Sequence, residues 1–280
     1  MDATDARRLH DLVEPIGMVA YAAEEPNAAM AGIGLTRTYW DGYFAARAAP
    51  LGPVPAEVVD ALFYSFAPGE VARHVPSVWD VVTPAAARAA HERGCVAGLR
   101  AGLGDLADAP SLARAADLLT TAAVSAPLEG RPMHAALRAL PVPPSAPDGD
   151  PLHRLWHAAV LLREHRGDGH VAALMVCGVG RTESHVLHAL SMGLAAHEFG
   201  RIHHLPRAQL DAVVDGLRTR GLVDDAGGFT EAGRTVKQRV ETLTDELAVA
   251  PYLALDDADR AELEALLAPV AARLREVWGL

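Results

Sequence analysis

The chain has 280 residues, half of them hydrophobic, and a formal net charge of −11. That length is enough to bury a real core as one large or two ordinary domains, while the acidity works against non-specific attraction to nucleic acid, which needs local positive charge at phosphate contacts. No stretch approaches the ~20 uncharged apolar residues of a membrane span, the start MDATDARRLH lacks the apolar segment of a secretory signal, and Cys95 and Cys177, the only cysteines, offer no disulfide framework, so a cytoplasmic protein with no membrane partner is expected.

Ala, Leu, Val and Arg dominate, with apolar residues at helical spacing punctuated by Pro and Gly. The pattern predicts helices near 5–14, 15–31, 36–48, 55–66, 83–103, 110–125 and 131–139. PVPPSAPDGD (141–150) has no periodicity and reads as a linker. Helices follow near 151–166, 169–178, 182–192, 195–203, 206–219, 230–249 and 256–278, with one short hairpin at 221–230. The fold class expected is all-α with a small β-wing, in two domains, 1–140 and 151–280, on either side of the linker.

The two halves carry similar segments at nearly one offset. RLHDLV (8–13) resembles PLHRLW (151–156), and AAMAGIGLTRT (28–38) resembles AALMVCGVGRT (172–182). Two related helical halves are therefore expected, against the alternative that Ala-rich helices match by composition alone.

The second half holds the most specific pattern. HVLHAL is followed by LPRAQLDAVVDGLRTRGLV and by FTEAGR. Pro206 suits a first helical turn, Leu210, Val213, Val214 and Leu217 form a buried stripe, and Gly221 ends the helix. This stretch resembles the winged helix-turn-helix of MarR-type regulators. The whole chain also resembles an actinobacterial helix-turn-helix family, on GYFAARAAPLG (42–52) and REHRGDGH (163–170). The first resemblance implies a recognition helix in the major groove and a small-ligand cleft between dimerisation helices and the helix-turn-helix. Arg207, Gln209, Arg218 and Arg220 are the candidate DNA contacts. Asp211 and Asp215 on the same helix, and the acidic wing tip Asp224-Asp225, oppose phosphate, and the aligned first-half segment 53–75 has no comparable basic helix.

LREHRGDGHVAAL (162–174) concentrates charge between two apolar runs and is expected to form a bend between helices. Arg163 and Arg166 have the paired donors that hold carboxylate, phosphate or phenolate. His165 and His170 are candidate acid–base groups, with Glu164 and Asp168 to orient them. The plainer reading gives Asp168 a helix cap near Gly169 and leaves Arg163 and Glu164 as a solvated helix end. His153 and His157 lie one turn apart on the preceding helix.

A second surface gathers aromatics. Tyr39, Trp40, Tyr43 and Phe44 share a helix with Arg47, and LFYSF (62–66) adds Phe63, Tyr64 and Phe66. Aromatic walls with a few polar tips suit an organic ligand, and they equally suit an ordinary core. HExxH, GxGxxG and GxxxxGK[ST] are absent, so no metal or cofactor is expected. The expected function is binding of an aromatic or amphipathic, anionic organic molecule for sensing, sequestration or processing. Tyr39, Trp40, Tyr43, Arg47, Tyr64, His157, Arg163 and Arg166 are the candidate contacts. The alternatives are a ligand-responsive DNA-binding transcription regulator and a cofactor-independent enzyme built on His165, His170, Asp168 and Glu164. The chain is expected to be a monomer or a homodimer, the latter through the apolar face of 256–278.

Overall fold

A computed structural model describes residues 1–140, 149–198 and 205–280. The expected linker, up to residue 148, and residues 199–204 of the helix expected at 195–203 lie outside the described residues. Twelve α-helices are described: α1 (Ala3–Ala22), α2 (Glu24–Gly32), α3 (Tyr39–Ala48), α4 (Ala56–Phe63), α5 (Pro84–Leu103), α6 (Ser111–Ser125), α7 (Pro132–Arg138), α8 (Pro151–Val176), α9 (Arg181–Ser191), α10 (Arg207–Thr219), α11 (Glu231–Leu247) and α12 (Asp257–Trp278). Among the described residues none is long and apolar enough to cross a membrane.

The chain groups into two compact units that interleave in sequence. One comprises 1–55, 74–168 and 245–280, and the other 56–73 and 169–244. The first unit is a helical core built on α1, α5, α6, α12 and the first two-thirds of α8. Leu9, Ile16, Leu99, Leu119, Leu155 and Leu263 are almost wholly buried in it. Pro15 does not end a helix as expected. α1 runs straight through it, because burial of Leu9, Val13, Ile16 and Val19 on one face outweighs the one backbone bond a proline removes. The apolar face of α12 is likewise occupied: Leu263, Leu267, Val270 and Leu274, expected to be available for pairing two chains, are buried within this unit.

Close helix contact is set by glycine where α2 meets α5. A Cβ on Gly94 would stand 2.6 Å from Pro26 Cα, and one on Gly98 would stand 2.9 Å from Ala23 Cβ. Both distances are shorter than real Cβ contacts allow, so any larger residue there would push α2 away.

The second unit joins α4 to α9, α10, most of α11 and the end of α8 around Leu187, Leu210, Val214, Leu217 and Val240. Tyr64 has a positive φ of 53°, and its hydroxyl donates to the Val179 carbonyl at 2.6 Å. Arg181 binds Asp60 at 3.0 Å, and the His185 ring lies 2.7 Å from the Ser65 carbonyl. These contacts make 56–73 part of this unit, not a counterpart of it. α10 closes on Gly221, whose φ is +69°, with the Leu222 N–H reaching back to the Leu217 carbonyl at 2.9 Å, a Schellman-type end.

Two expectations are corrected here. The β-wing reduces to one antiparallel bridge, Val223 to Phe229, because Gly228 N–H caps the Asp224 carboxylate at 2.8 Å and closes the turn at once; no strand forms among the described residues. The two halves do not repeat either. Segment 20–27 is broken at Ala23 between α1 and α2, whereas its supposed counterpart 163–170 lies inside one uninterrupted helix.

Candidate functional site

The absence of a bend at 163–170 changes the chemistry of that segment. Gly167 and Gly169 sit in the interior of α8 at a cost of ~1 kcal/mol each relative to alanine, and the helix is held through them by contacts from neighbouring elements. Because successive residues of a helix point about 100° apart, the charged cluster is divided among different faces.

One face of α8 looks toward α7 and the last turn of α11. Asp168 accepts from the backbone N–H of His134 at 3.0 Å and of Met133 at 3.4 Å. It therefore caps the start of α7, not of its own helix. Burial pushes its carboxyl up to about 6, against those two donors. His165 is almost wholly buried. Its ring meets that of His134 edge-on at 5.3 Å, and burial, with Arg131 and His134, depresses its pKa to about 3. Arg131 donates to the His165 carbonyl at 3.2 Å and to the Leu247 carbonyl at 2.8 Å. Arg166 pairs with Asp245 at 2.6 Å, and Asp245 also holds Arg7 at 3.0 Å. His170 Nδ1 lies 3.0 Å from Thr244 Oγ1. Asp168, Arg166 and His170 thus spend polar groups on neighbouring helices, whereas the buried His165 ring has no hydrogen-bond partner at Nε2. The four do not converge on the cavity described next.

The opposite face of α8 lines a cavity of about 90 Å³ in the first unit, room for several waters or a compact organic group. Tyr21, Tyr39 and Tyr43 form one wall, and Trp156, Val160 and Met133 another. The Tyr21 and Tyr43 ring centroids stand 6.0 Å apart, and Trp40 meets Tyr43 edge-on at 5.3 Å from outside the lining. Gly17 and Gly42 keep the floor open. A Cβ on Gly17 would stand 2.7 Å from Arg163 Cδ, so glycine is what lets Arg163 lie across α1.

Three arginines and one carboxylate reach this cavity: Arg47 from α3, Arg88 from α5, and Arg163 and Glu164 from α8. Arg47 donates to the Tyr43 hydroxyl at 3.0 Å and lies 3.4 Å from Glu164. Burial opposes its charge, but Glu164 and the two tyrosines more than restore it. Arg163 pairs with Glu14 at 3.1 Å and covers the Tyr21 ring at 5.3 Å. Burial is the largest influence and opposes its charge too, but Glu14, Tyr21 and Glu164 together outweigh it. Behind this lining Glu92 and His153, both almost wholly buried, are hydrogen-bonded to each other. His91 touches Cys95 Sγ at 3.5 Å through Nε2, and burial lowers its pKa to about 4. Burial, with His153 and Arg88, does the same to His157.

Of the contacts expected from sequence, Tyr39, Tyr43, Arg47 and Arg163 meet at this cavity, and Glu164 joins them. Trp40 packs behind it, His157 lies beside it, and Arg166 and Tyr64 are engaged elsewhere. Sequence reasoning passed over Tyr21, Arg88, His91 and Trp156. Their signal was present: 88, 91 and 95 share one face of α5, and 153, 156, 160 and 163 share one face of α8, so polar and aromatic residues recur at helical spacing inside apolar helices. Among the described residues no group of three or more His, Cys, Asp or Glu is placed to hold a metal.

On α10, Arg207 is paired with Asp211 at 3.2 Å, and Arg218 with Asp215 at 2.8 Å. Arg220 binds Glu183 on α9 at 2.6 Å. Gln209 is exposed beside them. With these arrangements in view, the comparison with known families is specific: a family model described as a helix-turn-helix family matches residues 6–279. The chain belongs to that helix-turn-helix family. No curated protein and no solved structure matches it.

Proposed function

We propose that the protein binds a small aromatic or amphipathic organic molecule in the cavity of its first unit, on a MarR-like scaffold. One observation carries this reading: the Tyr21–Tyr43–Trp156 walls enclose a space into which guanidinium groups from three different helices project. An ordinary core excludes such groups, because burying a charge is costly unless a function or a partner repays it. The chemistry is that of recognition. Among the described residues the lining holds no nucleophile beside a base, and His165 and His170 do not line it.

Tryptophan fluorescence tests this directly, since Trp156 lines the cavity and Trp40 packs against Tyr43. Titration with 1-naphthamide is expected to quench it saturably. Gly17→Leu, which fills the floor and displaces Arg163, is expected to weaken binding at least ~10-fold with unchanged helicity, because leucine is the better helix former. Equal affinity in Gly17→Leu would remove the cavity as the binding site.

Membership of a helix-turn-helix family favours a second reading, DNA binding. Against it, Arg207, Arg218 and Arg220 are each held by an acid from α9 or α10. Those acids repel phosphate and lower the counterion release that drives binding. With DNA from around its own gene, only weak binding that vanishes well below physiological salt is expected in gel-shift titrations. Saturable binding to a discrete site with a steep salt dependence would establish a regulator instead.

A further inference from the structure

Resting on the ligand reading above, we infer that Arg88 is the anion-binding group of the cavity and that its ligand is an aromatic monoanion, a carboxylate or phenolate. The three guanidinium groups are not equivalent. Arg163 is already answered by Glu14, and Arg47 by Glu164 and the Tyr43 hydroxyl. Arg88 has no carboxylate within ion-pair distance among the described residues, and its buried Nη1 has no hydrogen-bond acceptor in the protein.

A buried guanidinium N–H without an acceptor carries its full desolvation cost. The remaining chemistry on that side supplies none of the missing charge. His91 lines the cavity beside Arg88, and its depressed pKa of about 4 leaves it neutral at pH 7. Glu92, one turn beyond Arg88 on α5, is turned to His153. Summed over Arg47, Arg88, Arg163, Glu164 and Glu14, the site carries one uncompensated positive charge. A ligand with one negative charge completes it, its oxygens on Arg88 through charge-assisted hydrogen bonds and its ring between Trp156 and the tyrosine wall. A neutral amide can offer its carbonyl oxygen to Nη1 but leaves the positive charge uncompensated.

The test compares 1-naphthoate with 1-naphthamide, which share shape and differ in charge. Wild-type protein is expected to prefer the carboxylate by at least ~10-fold, the equivalent of about 1.4 kcal/mol. Arg88→Met, which keeps the apolar stem, is expected to abolish the preference while holding amide affinity within about two-fold; Arg88→Lys is expected to keep part of it, as a point charge without the guanidinium fork. A preference that survives in Arg88→Met but is lost in Arg47→Met overturns the assignment and leaves the ligand reading intact. Equal binding of both compounds by wild type also overturns it. If neither compound binds wild type, the ligand reading fails and the inference with it.

Discussion

Stability is expected to fall by several kcal/mol as the pH drops from 7 to 4, and His165→Leu is expected to flatten that fall. Burial lowers five histidines, His91 and His157 to about 4, His165 to about 3, and His134 and His188 in the same direction. Their unfolded value is about 6.5. Below that value the unfolded chain takes up protons that the native chain refuses, so each contributes stability that is complete above pH 6.5 and is lost as pH falls toward its folded pKa. Asp168 works the other way. Its folded value near 6 lies above the ordinary aspartate value of 3.8, so the native state binds its proton more tightly and loses stability as pH rises through that window. One raised carboxyl acts against five lowered imidazoles and the lowered carboxyl of Asp41, and each pKa unit is worth about 1.4 kcal/mol, so acid destabilises on balance. Urea unfolding at pH 4.5, 6 and 7.5 measures the slope. His165→Leu conserves volume and removes one buried proton acceptor. It is expected to cost little at pH 7.5 and to be more stable than wild type at pH 4.5. Parallel slopes for the two proteins would show that His165 does not titrate in unfolding.

Residue periodicity made most of the helices legible, since it reports which face each segment buries. Where the expectations failed, tertiary contacts outweighed local signals. Pro15 and the Gly167-Asp168-Gly169 run both look like helix breaks, yet burial along α1 and the contacts of Arg166, Asp168 and the His165 carbonyl carry α1 and α8 straight through them. The same misreading affected the site. Read as a bend, 163–170 places all its charges together. Wound as a helix, it sends Arg163 and Glu164 to the cavity, and Asp168, His165 and Arg166 toward α7 and the end of α11. Arg88 was invisible for a different reason. A single arginine in an Ala-rich helix reads as a solvated face, and only the fold reveals that this face turns inward. The helix-turn-helix was legible from Pro206, the Leu210–Leu217 stripe and Gly221, but its ion pairs were only half visible. Arg207–Asp211 is a local i,i+4 pair, whereas Arg220–Glu183 joins two helices.

His153→Leu is expected to destabilise the protein by about 3–5 kcal/mol, and adding Glu92→Leu is expected to restore most of the loss. Glu92 on α5 and His153 on α8 are each about 3% exposed and bonded to each other. Removing one partner leaves a carboxyl buried without compensation, whereas replacing both with apolar groups removes the demand. The His153 ring also stacks on Trp156 at 6.4 Å, so some of the loss is packing that leucine only partly recovers. Denaturant midpoints and melting temperatures of the two single variants and the double variant resolve the coupling. A double variant no more stable than His153→Leu would mean that the pair contributes little beyond packing. The pair also stands directly behind the cavity wall: Arg88 and His91 precede Glu92 on α5, and Trp156 follows His153 by one turn on α8. The double variant, with α5 and α8 still packed, is therefore expected to keep most of the 1-naphthoate affinity, while His153→Leu alone loses it as the buried carboxyl competes for Arg88, one turn away on the same helix.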